Sequence, residues 1–373
     1  MAHRRRACHT GQRAAAGTEA VVIFTSGSTG TPKAVPHSIL DLVNMAENYG
    51  RHNAGLSPKD NVIVTSKLSY SYGFSVSMTA LYHGAALLLG NGRFDPAAIL
   101  DQIEQQKATV LFSVPTVYSI LVKQPQRDLS SLRCCIAAGE ARSPFVDDAW
   151  EQISGISIQD GLGATEIMSF ALATPRDEPG GRSIGTIVPG FSIEIRNTHG
   201  QVTRTGEAGV AWVRGNSVAA GYLGNPEASA KAFQDGWYRT DDILRMDDDG
   251  RFHYLGRATD LTKVGGVWVS PAETQNFLNA HPLVAECAVV LREHPEPLVR
   301  PYAFVVPAAG ATAGPELEQA LKDAIRGKLA KAQIPHKIFF LDELPRTGNG
   351  KVQRFALSDM VQDKINLDSI RMH

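Results

Sequence analysis

No apolar run in this 373-residue sequence approaches the roughly 20 residues of a bilayer-spanning helix, so no helical membrane span is predicted. Cysteine is scarce, limited to Cys8, Cys134, Cys135 and Cys287. None sits at a Cys/His spacing that suggests zinc. Cys134 and Cys135 are adjacent in an apolar run, which predicts buried strand positions and makes a reducing cytoplasm the simplest compartment. Charge of one sign is lacking too: 37 Lys and Arg against 38 Asp and Glu leave a net −1. No general attraction to nucleic acid or to an anionic membrane is therefore expected. The N-terminus, Met1-Ala2-His3-Arg4-Arg5-Arg6, has no acid before Glu19 and no apolar core of a secretory signal. Residues 1–19 are expected to form a disordered basic tail. Internal repeats and low-complexity tracts are also missing. What is present, 43% hydrophobic and 20% charged residues, suffices for two or more cores.

Strand-like runs at Ala20–Thr25, Asn61–Thr65, Ala85–Leu89, Thr109–Ser113, Cys134–Ala137 and Ile156–Gln159 are interleaved with helix-like stretches. These lie at Ser38–Tyr49, Asp95–Gln106, Pro115–Val122 and Pro144–Ile153. Such alternation predicts an α/β sheet with parallel pairings, whose ligands gather at the carboxyl ends of the strands. From about Phe191 short strands joined by turns predict an antiparallel β region. After Gly256-Arg257, helices at Pro271–Ala280 and Pro315–Leu329 with strands at Glu286–Leu291, Tyr302–Val306 and Lys337–Leu341 predict a small C-terminal α+β domain.

The richest segment is Thr25-Ser26-Gly27-Ser28-Thr29-Gly30-Thr31-Pro32-Lys33, directly after the β-branched run Val21-Val22-Ile23-Phe24. Backbone N–H groups, hydroxyls and a lysine in such a loop can grip phosphate oxygens. Its spacing is not that of a Walker A loop, and a Ser/Gly linker would share its composition. Gly161-Leu162-Gly163-Ala164-Thr165-Glu166 follows a predicted strand. It offers a close backbone approach, a hydroxyl and a carboxylate suited to Mg²⁺, or else a helix start capped by Thr165. Trp237-Tyr238-Arg239-Thr240-Asp241-Asp242 sets two acids beside aromatics, as a ribose site or a polar turn would. Gly256-Arg257 and Lys263-Val264-Gly265-Gly266 read as a hinge and a ligand path, or as a linker and a hairpin turn. Lys351, in a Gly-flanked loop, could neutralise developing charge on a phosphate or simply face solvent.

Together these segments, in this order, resemble the adenylate-forming superfamily of acyl- and aryl-CoA synthetases, over roughly residues 20–360. Lys67-Leu68-Ser69-Tyr70-Ser71-Tyr72-Gly73, Ala137-Ala138-Gly139-Glu140-Ala141 and Asp160–Glu166 look most like benzoate-type aryl-CoA ligases. The resemblance implies a partial N-terminal adenylation domain at 20–256, its α/β part about 20–190 and its β-rich part about 191–256. A mobile C-terminal domain would occupy 257–373. It also implies that a large α/β portion carried by family members before the phosphate loop is missing here. That loss would leave sheet edges and apolar faces uncovered.

By position, the resemblance assigns Thr25, Ser26, Ser28, Thr29 and Lys33 to the β- and γ-phosphates of ATP. Thr165 would contact the α-phosphate and Glu166 would ligate Mg²⁺. Gly139, Glu140 and Ala141 would line the adenine site, and Asp242 and Arg257 would bind ribose. Lys351 would act on the carboxylate and α-phosphate. Lys263, Gly265 and Gly266 would line the path of CoA. Ser71, Tyr72, Gly73, Gly163, Ser169 and Phe170 would shape the acyl pocket, where Tyr72 and Phe170 suit a flat ring. Benzoate-type ligases often carry histidine at the Ser169 position and a smaller aliphatic at Phe170, so hydroxy- or aminobenzoates fit as well as benzoate. Thr259 stands where the family usually has an acid, Asp241 where it has a small residue, and Ala34 where it has glycine.

The activity implied is ATP-dependent activation of a small aromatic carboxylic acid as its acyl-adenylate, then transfer to CoA. One alternative transfers the acyl group to an acyl carrier protein's phosphopantetheine. Another is a truncated, non-catalytic fragment, or a homodimer that compensates for the missing portion.

Overall fold

The computed structural model describes residues 18–25, 32–90, 94–139, 142, 144–181, 183–258, 262–264, 267–269, 271–279, 281–293, 299–345 and 352–371. Strands β1 (Glu19–Thr25) and β2 (Lys33–Ser38) pair antiparallel with each other. The sequence places β1 among the alternating strands of the α/β sheet. Instead, among the described residues, it pairs only with β2, because Lys33–Ser38 is itself extended and folds back on it. Ser38 caps α1 (Ile39–Met45) in a capping box with Asp41.

The main sheet follows, built from β3 (Asn61–Val64), helix α2 (Ser71–Tyr82), β4 (Ala86–Leu88), α3 (Pro96–Gln106), β5 (Val110–Ser113), α4 (Pro115–Leu121), β6 (Cys134–Ala138), α5 (Pro144–Ser154), β7 (Ile158–Gly163), β8 (Phe170–Ala173) and β9 (Thr186–Ile187). Its order is β4-β3-β5-β6-β7-β8-β9. β4 through β7 are parallel, and β8 and β9 close one side antiparallel. β5 and β6 are buried throughout, and apolar except for Ser113, because both sheet faces are covered. One face packs Met45, Tyr49, Val76, Phe112, Ile136 and Phe170, and the other packs Ile63, Ile103, Leu111, Tyr118, Cys135 and Trp150.

Helix α2 escapes a pattern-based reading. Gly73, Ser75, Val76, Ser77, Thr79 and Ala80 are all buried along it, so small and polar residues replace the usual apolar stripe. β7 also runs further than expected, through Gly161 and Gly163, so the glycines lie within a strand rather than in a turn after it.

The antiparallel region comprises β10 (Phe191–Arg196), β11 (Ala208–Gly215), α6 (Pro226–Ala232), β12 (Phe233–Gln234), β13 (Trp237–Met246) and β14 (Phe252–Arg257). The order is β10-β11-β13-β12, with β14 on β13. A hairpin of β15 (Thr262–Val264) and β16 (Val267–Val269) precedes α7 (Pro271–Asn279), β17 (Val284–Glu293), β18 (Val299–Pro307), α8 (Pro315–Ile325), β19 (Lys337–Phe340) and α9 (Arg354–Arg371). The three strands β17-β18-β19 form their own sheet with a core on each face. No helix among the described residues is long and apolar enough to cross a membrane.

Candidate active site

Thr25 and Lys33, which flank the hydroxyl-rich segment in the chain, are direct cross-strand partners of β1 and β2. Ser26, Ser28 and Thr29 lie outside the described residues. Past Lys33 the strand buries His37, whose Nε2 donates to the Thr165 carbonyl at 2.8 Å and whose Nδ1 lies 3.2 Å from Asp41 Oδ2. Burial pushes the Asp41 carboxyl up, but His37 and the Ser38 amide outweigh it and hold the group below its ordinary value.

Thr165, Glu166 and Ile167 form a single 3₁₀ turn just beyond the carboxyl end of β7, with Ala164 at its cap position. Thr165 is therefore not the cap of a helix. Its hydroxyl meets Ser71 Oγ at 2.9 Å, which ties the turn to the start of α2. Glu166 is buried and accepts the Tyr222 hydroxyl at 2.7 Å, while its carbonyl accepts the Ala219 N–H at 2.8 Å. Ser217 Oγ donates to the Ile167 carbonyl at 2.7 Å. The turn is thus braced from β2, α2 and the segment after β11.

Beside it stand the aromatic residues. Phe170 is buried, edge-on to Tyr49 at 4.5 Å and to Tyr72 at 5.7 Å between ring centroids. Tyr72 donates to the Ser113 carbonyl at 3.1 Å, and Ser169 Oγ to the Phe170 carbonyl at 3.3 Å. Two glycines here permit close packing. A Cβ at Gly163 would stand 2.1 Å from the Ser169 carbonyl oxygen, and one at Gly73 would stand 2.3 Å from that of Lys67.

Gly139 follows β6 at φ +86°, and Glu140 and Ala141 lie outside the described residues. Asp242 and Arg257 are cross-strand partners on β13 and β14, with Arg257 Nε 3.6 Å from Asp242 Oδ1. Burial pushes the Asp242 carboxyl up to about 6, against the lowering effect of Arg257. The segment from Trp237 to Asp242 is continuous strand, not a polar turn, and the half-buried Asp241 pairs with Arg239 at 3.3 Å. Lys263 lies in the backbone of β15, while Gly265, Gly266 and Lys351 lie outside the described residues.

Three side chains that the sequence reading did not single out, His37, Tyr49 and Tyr222, complete the cluster with Tyr238, which it quoted only as an aromatic beside the two acids. Lys33 Nζ sits 4.8 Å over the centroid of the Tyr222 ring. Tyr238 is pushed well up by burial and by the nearby Glu166 charge, so its phenol stays protonated beside that carboxylate. A tyrosine between two glycines, Gly221-Tyr222-Leu223-Gly224, just before Asn225 caps α6, is the signal that could have flagged the first phenol.

Glu166 is suited to a hard divalent cation. A buried carboxylate is costly unless something positive meets it, and among the described residues Glu166 has no ion-pair partner. No group of three or more His, Cys, Asp or Glu among them could hold a metal alone. Mg²⁺ takes one or two carboxylates together with substrate phosphates, and Glu166 would supply one of them.

Residues 5–223 match the AMP-binding enzyme family, and residues 273–351 match the AMP-binding enzyme C-terminal domain. A benzoate–CoA ligase of Thauera aromatica is 35% identical over 340 residues, which span 90% of this chain and 64% of the relative. A 3-hydroxybenzoate/4-hydroxybenzoate–CoA ligase of the same organism is 33% identical over 91% of this chain and 66% of its own length. Among solved structures, an anthranilate CoA ligase in complex with anthranoyl-AMP superposes with a TM-score of 0.84 at 33% identity. The match covers 91% of this chain and 66% of that one. The chain thus spans slightly under two thirds of the length of these relatives. Its motifs, its sheet order and the two family matches lead to one conclusion: this chain belongs to the AMP-binding enzyme family.

Proposed function

We propose that the chain carries the site of an ATP-dependent ligase that activates a benzoate-type carboxylate and passes it to CoA, releasing AMP and pyrophosphate. The observation that carries this reading is the convergence of Lys33 and Glu166 on Tyr222, with the Thr165 hydroxyl, held by Ser71, next in the chain to Glu166. A cation, a hydroxyl and a buried carboxylate in one cluster are what a triphosphate with its metal requires. The relatives named for benzoate and hydroxybenzoates, and the aromatic wall of Tyr72 and Phe170 next to Thr165, favour a flat aromatic acid.

In this reading the acid's carboxylate attacks the α-phosphorus of ATP and pyrophosphate leaves. The thiol then attacks the acyl carbon and AMP leaves. Lys33, with the hydroxyls of Thr25, Ser26, Ser28 and Thr29, holds the β- and γ-phosphates. Thr165 orients the α-phosphate, and Glu166 holds Mg²⁺, which neutralises phosphate charge when bound. Gly139, Glu140 and Ala141 face adenine. Asp242 accepts the ribose hydroxyls with Arg257 beside it, Lys351 stabilises the charge of adenylation, and Lys263, Gly265 and Gly266 guide the thiol arm. Residues 257–373 serve as the part that moves between the two steps. The cytoplasm is the compartment, and a carrier-protein phosphopantetheine, which ends in the same thiol as CoA, is the second acceptor.

The test is pyrophosphate release by the purified chain with benzoate, hydroxybenzoates and aminobenzoates, with Lys351→Ala as control and either CoA or a holo-carrier as acceptor. Acid-dependent release with thioester formation on CoA is expected. Activity only with the carrier selects the second acceptor, and no release with any acid overturns the reading.

A further inference from the structure

We infer that Tyr222 is a positioning residue that keeps Lys33 and Glu166 apart, so that both charges stay available to a polyphosphate and its cation. This rests on the proposed reading of the site as a nucleotide–metal site. Lys33 Nζ lies 4.8 Å over the Tyr222 ring, and the hydroxyl of the same ring donates to Glu166 Oε1 at 2.7 Å. Lysine and glutamate so close to one side chain would ordinarily pair with each other, since direct Coulomb attraction in a partly buried site exceeds a cation–π contact. Among the described residues neither has an ion-pair partner. The ring holds Lys33 over its face and Glu166 at its hydroxyl, each by a contact weaker than an ion pair.

The ring is itself fixed. It is buried and edge-on to Phe233, with centroids 5.3 Å apart at 70°. Its backbone N–H donates to Ser229 Oγ at 2.8 Å. The Leu223 N–H donates to the Ala34 carbonyl at 2.9 Å, which joins this segment to the strand carrying Lys33. Ser217 and Ala219 join the same segment to the turn carrying Glu166. One stretch of chain therefore sets the position of both charges and of the ring that touches each of them.

The experiment is calorimetric titration of the purified chain with ATP, in excess Mg²⁺ and in EDTA, with circular dichroism melting as the check of fold. The wild type is expected to bind ATP more tightly with Mg²⁺. In Tyr222→Leu, Lys33 closes onto Glu166, and metal-free ATP affinity falls about tenfold. Adding Glu166→Gln to Tyr222→Leu frees Lys33 and restores metal-free affinity to within about threefold of the wild type, a recovery that a packing defect would not give. Tyr222→Phe keeps the ring and loses only the hydrogen bond, so the gain from Mg²⁺ shrinks severalfold. Metal-free affinity unchanged in Tyr222→Leu, or no recovery in the double variant, overturns the inference. Should the leucine variant fail to fold, an undiminished Mg²⁺ gain in Tyr222→Phe overturns it alone. A wild-type chain that binds no ATP overturns the nucleotide reading and this inference with it, whereas variants that match a binding wild type overturn only the inference.

Discussion

Glu166 and Asp242 are buried carboxylates on neighbouring parts of the fold, yet their surroundings differ in kind. Glu166 sits in a turn braced on three sides and meets phenols, with no cation paired to it among the described residues. Asp242 sits on a strand opposite Arg257, whose side chain is 57% exposed and lies 3.6 Å away. A buried anion left without a cation is costly, and a bound divalent ion would offset that cost. A buried anion with an arginine beside it is already partly compensated and can offer its oxygens to neutral hydroxyls. The first arrangement suits a metal on phosphates, and the second suits a sugar.

Substitution separates the two. Glu166→Gln is expected to lower the adenylation rate roughly 10²–10³-fold, the usual scale for losing one preorganised charge-stabilising group, and to flatten its dependence on Mg²⁺. Pyrophosphate release across a magnesium series measures both. Asp242→Asn should act mainly on binding, raising the KM for ATP about tenfold or more, the scale of a hydrogen bond to a charged group, with kcat less affected. A loss of Mg²⁺ dependence in Asp242→Asn would erase the distinction.

Acidity sharpens the contrast further. Because the Asp242 carboxyl is raised to about 6 by burial, ATP affinity should fall as pH drops through that value. Stability has the opposite sign. The protonated form suits the folded state, so the contribution is full at pH values below the ordinary 3.8 and is lost as pH rises through about 6. Asp242→Asn should therefore raise the melting temperature at pH 8 and leave it near that of the wild type at pH 4. The smallest effect is expected from Ser71→Ala, which removes the hydrogen bond to the Thr165 hydroxyl. About 1 kcal/mol, or a fewfold drop in adenylation rate, is the scale.

How much of this was legible in the sequence depends on where each role comes from. Lys33, Glu166 and Asp242 stand out because their own neighbours in the chain announce them: a hydroxyl-rich loop, a glycine-rich strand end and a paired acid. Tyr222 and His37 do not. Their roles arise from contacts with residues 56 and 128 positions away, and only folding creates those contacts. The same holds for structure. The apolar strands β5 and β6 are plain from composition, since both faces of the sheet are covered. Helix α2 is hidden because its buried side is made of glycine, serine and threonine. β1 was misplaced because an apolar run predicts a strand but not its partner, and here that partner is β2.

The most direct test of the central claim is exchange of labelled pyrophosphate into ATP by the purified chain, in the absence of CoA. Exchange that requires both an aromatic acid and Mg²⁺, and that Glu166→Gln abolishes, is the predicted result. Exchange that is independent of the acid, or that survives intact in Glu166→Gln, would contradict it.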